Sequence, residues 1–421
     1  MAQGMGMNTE QTALVVQCAM LICGIATIIQ SVGIGPVGAQ LPVVTGGSYT
    51  FIAPMIALAA NPDVGIPGAF GAALVGSILL IFLGPLAIKY LYKYFTPVVT
   101  GSVVLAVGSC LLSSAFQYAV NATPDSPDVM KFFLIAVFTL LITLVLDSFC
   151  KGFLQSLSIL IAILIGYVLC VALGMVDFSP MQTAEMVAPP RPLAFGMTFN
   201  IGAIVTVCVV HIVTVMENIG DTTGVVTAAE DRIPTRKELM RTIRGDALGS
   251  CVAAIFNGLP VISGSPNVGI ICMTGVASRF VTLIGGIIIG ILAFFPKFAQ
   301  FLALTPYPVL GGVLLVSFGT IASSGIRVIG MGKMTKRNMT ILALAIGVGI
   351  GGNYSQAYLS FLPSTVVTLI TGISGTALTA LILNFVLPKS ASDREEEAEQ
   401  DRIRAQQEAE AEARIAAAKQ K

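Results

Sequence analysis

The residues with the clearest chemical potential are two carboxylates in Glu217-Asn218-Ile219-Gly220-Asp221, a string that directly follows a long apolar run. Spaced four apart, they share one face if the segment is helical. A charged acid at the centre of a bilayer costs about 2.5–3.5 kcal/mol on insertion scales, so such residues face a cavity, a partner or a proton path. That environment suits a carboxyl that takes up and releases a proton. The plainer accounts are that Glu217 pairs internally and that Asp221 sits at the water boundary. Asp246, in Arg244-Gly245-Asp246-Ala247-Leu248-Gly249, opens the next apolar stretch, where capping of a helix start explains it as well as a coupling role does. His211, the single histidine, precedes Glu217 by six residues and points away from it on a helix, which makes it a core residue.

The elements that carry these groups must cross a membrane. With 55% hydrophobic and 11% charged residues and a mean hydropathy of +0.88, the chain departs far from soluble domains, in which about a quarter of residues are charged. Apolar stretches near the roughly 20 residues that span a bilayer recur along it. They fall at about 12–33, 42–61, 65–91, 96–120, 130–150, 153–176, 199–224, 243–258, 259–278, 280–303, 305–328, 338–352 and 364–387. In lipid only helices satisfy this much backbone in such a pattern, so the fold class is an all-α polytopic membrane protein. Basic residues cluster in alternate connections (Lys89 and Lys93, Lys151, Arg232 to Arg244, Arg279, Arg327 to Arg337), which assigns those connections and the tail after Pro388 to the cytoplasm. From Ser390 the chain turns Glu-, Arg-, Gln- and Ala-rich, the composition of a solvated tail. The eight cysteines are scattered without a CxxC pair and imply neither a disulfide framework nor a metal site. No cofactor and no nucleic-acid partner is implied.

An internal duplication points to a site. Leu41-Pro42-Val43-Val44-Thr45-Gly46 returns as Leu259-Pro260-Val261-Ile262-Ser263-Gly264, 218 positions on, and Pro97-Val98 with Gly101 and Gly108 returns as Pro308-Val309 with Gly312 and Gly319. Both Leu-Pro-Val strings open a segment too rich in Gly, Ser and Thr for a lipid-facing helix, which predicts a short extended stretch leading into a half-helix. Paired interrupted segments in a two-fold repeat mark a transporter's midplane binding site. The same ruler puts the counterpart of Glu217 ahead of Met1. We therefore expect the first repeat to lack its opening helix, either by truncation or as a thirteen-segment variant.

Pro266-Asn267-Val268-Gly269 followed by Thr274-Gly275 resembles the signature of the nucleobase/ascorbate transporter family, and Glu217-Asn218-Ile219-Gly220-Asp221 is similar to the carboxylate motif of its purine and ascorbate branches. The likeness runs from about Gln17 to Leu387. It implies an inverted repeat of seven plus seven segments, of which about thirteen are present. Residues 1–95 and 199–304 would form a core domain, 96–198 and 305–387 a gate domain, and 388–421 a cytoplasmic tail. It also implies proton-coupled uptake of a purine or pyrimidine base by an elevator-like core movement, with sodium the less favoured ion, and a homodimer in the cell membrane. By motif, Glu217 would bind the heterocycle and share proton coupling with Asp221, and Pro266, Asn267 and Gly269 would form the substrate site's second half-helix, which Asn267 organises. The backbone at Ser48, Tyr49 and Thr50 would contribute from the first repeat, and Asp246 is a further coupling candidate. Pro266 stands where many relatives carry Gln or Glu and resembles the ascorbate branch, so an organic-anion carrier is the alternative. The family's Gln-His pair has no counterpart here. A membrane-embedded enzyme using Glu217 and Asp221 lacks a nucleophile or metal set, and Gly325 to Lys333 does not fit a phosphate-binding loop.

Overall fold

The structure is a computed structural model and describes residues 5–91, 94–121, 126–151, 153–183, 185–264, 266–359, 361–362, 366–367, 370–395, 398–399, 401–402, 405–406 and 409. Its helices are α1 (Thr9–Val32), α2 (Ile52–Ala60), α3 (Gly65–Leu91), α4 (Pro97–Ala119), α5 (Val129–Phe149), α6 (Ser158–Ala172), α7 (Ile201–Glu230), α8 (Arg236–Ile255), α9 (Pro266–Thr274), α10 (Arg279–Leu292), α11 (Pro296–Ala303), α12 (Tyr307–Ile329), α13 (Lys336–Ile346) and α14 (Gly372–Val386), joined by short helical turns. Among the described residues, six helices are long and apolar enough to cross a membrane, or seven if the pair α10 and α11, bent by 101°, is one span. Pro296 explains the bend, since it cannot extend the hydrogen-bond ladder of α10. Large apolar side chains point outward along α5 (Leu134, Leu141) and α10 (Phe280, Ile284, Ile291), as a lipid-facing surface requires.

The two interrupted segments form as the sequence predicts. Residues Thr45–Gly47 (β1) and Val261–Ser263 (β2) pair antiparallel, with Thr45 opposite Ser263 and Gly47 opposite Val261. The pairing extends outward through Ser48 N–H to the Pro260 carbonyl (2.8 Å) and Gly264 N–H to the Val44 carbonyl (2.8 Å). A half-helix leaves each strand: α2 after a 3-10 turn at Tyr49–Phe51, and α9 at Pro266. Because the strands run opposite ways, the half-helices start from opposite ends of a ribbon about 10 Å long.

The repeats interlock around this ribbon. By the duplication α1 corresponds to α8, α3 to α10 and α4 to α12. Each repeat's helices pack on the other's, α1 on α10 and α8 on α3, while α4 and α12 form the most extensive pair. Small residues let these backbones approach: a Cβ at Gly24 would come within 2.7 Å of the Gly286 carbonyl, and one at Gly108 would collide with the Ala322 backbone. Leu80, Val104, Ile219, Ile243 and Phe318 belong to one buried cluster that knits α3, α4, α7, α8 and α12 together.

Two boundaries differ from the sequence reading. Helix α7 runs to Glu230 and ends on Asp231, whose φ of 52° is left-handed. Helix α8 begins at Arg236, with Thr235 and Glu238 forming a reciprocal cap, so its first turns contain the basic residues expected in a loop. Asp246 therefore stands mid-helix, and the capping role that the sequence allowed it belongs to Thr235.

Candidate functional site

Glu217 lies on α7, 3% exposed, and its carboxylate accepts from the Thr50 hydroxyl at 2.8 Å and the Ser48 hydroxyl at 3.5 Å. The acid comes from the second repeat and both hydroxyls come from the turn that follows β1. This explains why a hydroxyl-rich string breaks the first interrupted segment: the turn presents donors that a regular helix would direct elsewhere. A cavity of about 670 Å³ opens beside the ribbon and is lined by Thr45, Gly46, Tyr49, Glu217, Asp221 and Asn267. Its far wall is Thr282 and Gly286 of α10 with Ile321 of α12. In the second repeat α7 packs on α3 and α4 and runs beside β2. Their counterparts in the opposite repeat are α10, α12 and β1, and all three line the cavity.

Glu217 and Asp221 share the face that meets this cavity, as their spacing predicts. Asn267 holds the half-helix in place by donating to the Pro42 carbonyl at 2.5 Å, which ties α9 to the approach to β1. Tyr49 sets its ring edge-on against Phe318 of α12, centroids 6.0 Å apart. Pro266 and Gly269 lie in the first turn of α9; their side-chain surroundings fall outside the described residues. Ser48 is fully buried, and besides the backbone contribution expected of it its hydroxyl lies 3.5 Å from the Glu217 carboxylate.

Asp246 does not line the cavity. It accepts from Gln30 Nε2 (2.7 Å), Ser263 N (2.8 Å), Ser263 Oγ (3.1 Å) and Asn218 Nδ2. Gln30 also donates to the Thr242 carbonyl (2.8 Å) and accepts from Ala39 N–H (3.2 Å). This network fixes β2, α1 and α7 to α8, directly behind the carboxylate motif. Asp246 is thus a buried carboxylate whose hydrogen-bonding capacity is taken up by neighbouring elements. Gln30, Asn218 and Ser263 are functional neighbours that the sequence reading left out. A polar residue inside the apolar run 12–33 was the available signal for Gln30.

The site thus offers a carboxylate already organised by two hydroxyls, a second acid one turn on, a tyrosine ring, an amide side chain and glycine backbone in a cavity beside the ribbon and half-helix α9. Helix starts at the ends of the ribbon add positive potential. Such a constellation holds a small flat polar molecule through hydrogen bonds and stacking.

Comparison with known proteins agrees with this geometry. The xanthine/uracil permease profile, described as a permease family, matches residues 1–358. A xanthine permease of Bacillus subtilis is 34% identical over 393 residues, covering 91% of this chain and 88% of its own. The uric acid transporter UacT of Escherichia coli is 32% identical, covering 90% and 80%. The nucleobase transporter PlUacP of Paenibacillus larvae is 33% identical, covering 93% and 90%. Among solved structures, the murine anion transporter Slc26a9 in its inward-facing state aligns with a TM-score of 0.58 at 11% identity, over 91% of this chain and 66% of that one, a likeness of fold alone. Matched along most of its length by the family profile and by relatives above 30% identity, this multi-pass membrane protein belongs to the xanthine/uracil permease family, the nucleobase/ascorbate transporters.

Proposed function

We propose that the chain is a secondary transporter that carries a purine base of the xanthine or uric acid class across the cell membrane with protons, its tail on the cytoplasmic side. The observation that carries this reading is the Glu217 carboxylate. It is buried beside a cavity bordered by the two-stranded ribbon and half-helix α9, and its carboxylate accepts from hydroxyls of the opposite repeat. An oxopurine presents ring N–H groups next to carbonyls, which such a carboxylate and the adjacent glycine backbone complement. The names of the matched relatives support the same substrate class and favour it over the organic-anion alternative suggested by Pro266. Asp221, one turn further along the same cavity face, is the proton-coupling candidate.

For the transport cycle we take residues 1–95 and 199–304 as a core domain that moves against 96–198 and 305–387. The tightly packed α4 and α12 would form the stationary spine, and Tyr49 against Phe318 is a contact across that boundary. The test is uptake of labelled xanthine and uric acid into cells without purine uptake of their own. Saturable uptake of either, abolished by a protonophore and by Glu217→Gln with normal amounts of protein in the membrane, is expected. Uptake indifferent to both treatments would refute the coupling; uptake of ascorbate alone would refute the substrate class.

A further inference from the structure

His211 lies on α7 six residues before Glu217 and is 3% exposed. Its Nε2 is 3.3 Å from Ser77 Oγ on α3, and that hydroxyl donates its own proton to the Ala73 carbonyl at 2.7 Å. A hydroxyl has one proton to give, so Ser77 accepts here and the imidazole carries its proton on Nε2. The imidazole ring lies on Phe51, centroids 4.7 Å apart and planes inclined at 60°. Phe51 closes the turn that begins at Ser48, its N–H reaching the Ser48 carbonyl at 3.3 Å. Gly76 makes room for this stack, since a Cβ there would come within 2.9 Å of His211 Cδ2.

Six residues of helix rise about 9 Å. Helix α7 thereby grips the short turn Ser48–Phe51 at two levels, through His211 on Phe51 and through Glu217 on Ser48 and Thr50. We propose that His211 is a positioning residue for the substrate site: locked by Ser77, it fixes Phe51 and so keeps the Ser48 and Thr50 hydroxyls on Glu217. The inference rests on the reading of Glu217 as the substrate-binding carboxylate. A histidine that only filled core volume would leave the Thr50–Glu217 contact untouched when replaced by a residue of similar size.

The deciding experiment is a double-mutant cycle between His211→Leu and Thr50→Ala in the full chain, read in two ways. The first is the apparent KM for labelled xanthine in proteoliposomes. The second, independent of any substrate, is the rate at which a membrane-permeant carbodiimide labels Glu217, followed by mass spectrometry. Each single change is expected to raise both quantities about three- to tenfold, with the double variant no worse than the worse single one. His211→Phe, which keeps a ring against Phe51, should restore most of the effect. Multiplying effects, or a His211→Leu variant with unchanged labelling, would overturn the proposal. Should His211→Leu not reach the membrane, His211→Gln, which keeps an N–H for Ser77 and lacks the ring, decides in the same cycle. Failure of the wild type to transport xanthine counts against the proposed function and leaves the labelling cycle to judge His211.

Discussion

Two membrane-buried carboxylates, Glu217 and Asp246, are almost equally hidden, at 3% and 4% exposure, yet their surroundings differ in kind. Asp246 receives four donor groups drawn from three other elements and touches no cavity wall. Glu217 receives two hydroxyls, the Ser48 one long, and opens onto the cavity. Burial alone therefore does not distinguish a binding acid from a structural one; the saturation of its lone pairs does. A saturated carboxylate holds the protein together, and an unsaturated one beside a cavity is available to a ligand.

The comparison can be broken by substitution, and the largest effect belongs to Asp246. Asp246→Ala strands the donors of Gln30, Asn218 and Ser263, at about 1–3 kcal/mol for each group left buried and unpaired. The variant is expected to fail as monodisperse protein in size-exclusion chromatography. Normal elution and melting would mean that the network is dispensable. Glu217→Gln is expected to do the opposite: melting within a few degrees of the wild type, with base affinity lowered by about 1.5–3 kcal/mol, the worth of a hydrogen bond to a charged group. Thr50→Ala removes the shorter of the two hydroxyl contacts and should raise the apparent KM for xanthine by about three- to tenfold, with expression unchanged.

The smallest effect lies at the start of the charged tail. Burial alone would raise the Asp393 carboxyl, but hydrogen bonds from Thr335 and Ser390, with the Arg337 charge, outweigh it and hold the group below the usual carboxylate range. A carboxyl depressed on folding stabilises above its unfolded value of about 3.9, and that contribution is lost as the pH falls through the depressed value. Asp393→Asn should thus be slightly less stable than the wild type at neutral pH, by less than about 1 kcal/mol, and the gap should shrink as the pH falls below about 3.9. A gap constant with pH would contradict this.

Much of this contrast was legible in the sequence, for local reasons. Proline, valine and small residues repeated 218 positions apart predicted both strand-and-half-helix segments, because backbone preference is a property of a few consecutive residues. The four-residue spacing of Glu217 and Asp221 placed them on one face for the same reason. The capping alternative for Asp246 fails because it takes the basic run Arg232 to Arg244 as a loop; Thr235 and Glu238, three apart, are the capping signature that marks the true start. Gln30 stays hidden because its partner lies across the fold, and it meets Asp246 only once the two repeats interlock; Ser263 meets Asp246 only once β2 folds back on α8. The hydroxyl contacts to Glu217 span 167 and 169 positions and were beyond any local rule.

The central claim is that Glu217, and not the equally buried Asp246, receives the substrate. Its most direct test is equilibrium binding of labelled xanthine to purified wild type and Glu217→Gln, with thermal melting of both in parallel. The account predicts matching melting curves and an affinity loss of roughly 10- to 150-fold in the variant. Equal affinity in two equally stable proteins would contradict it.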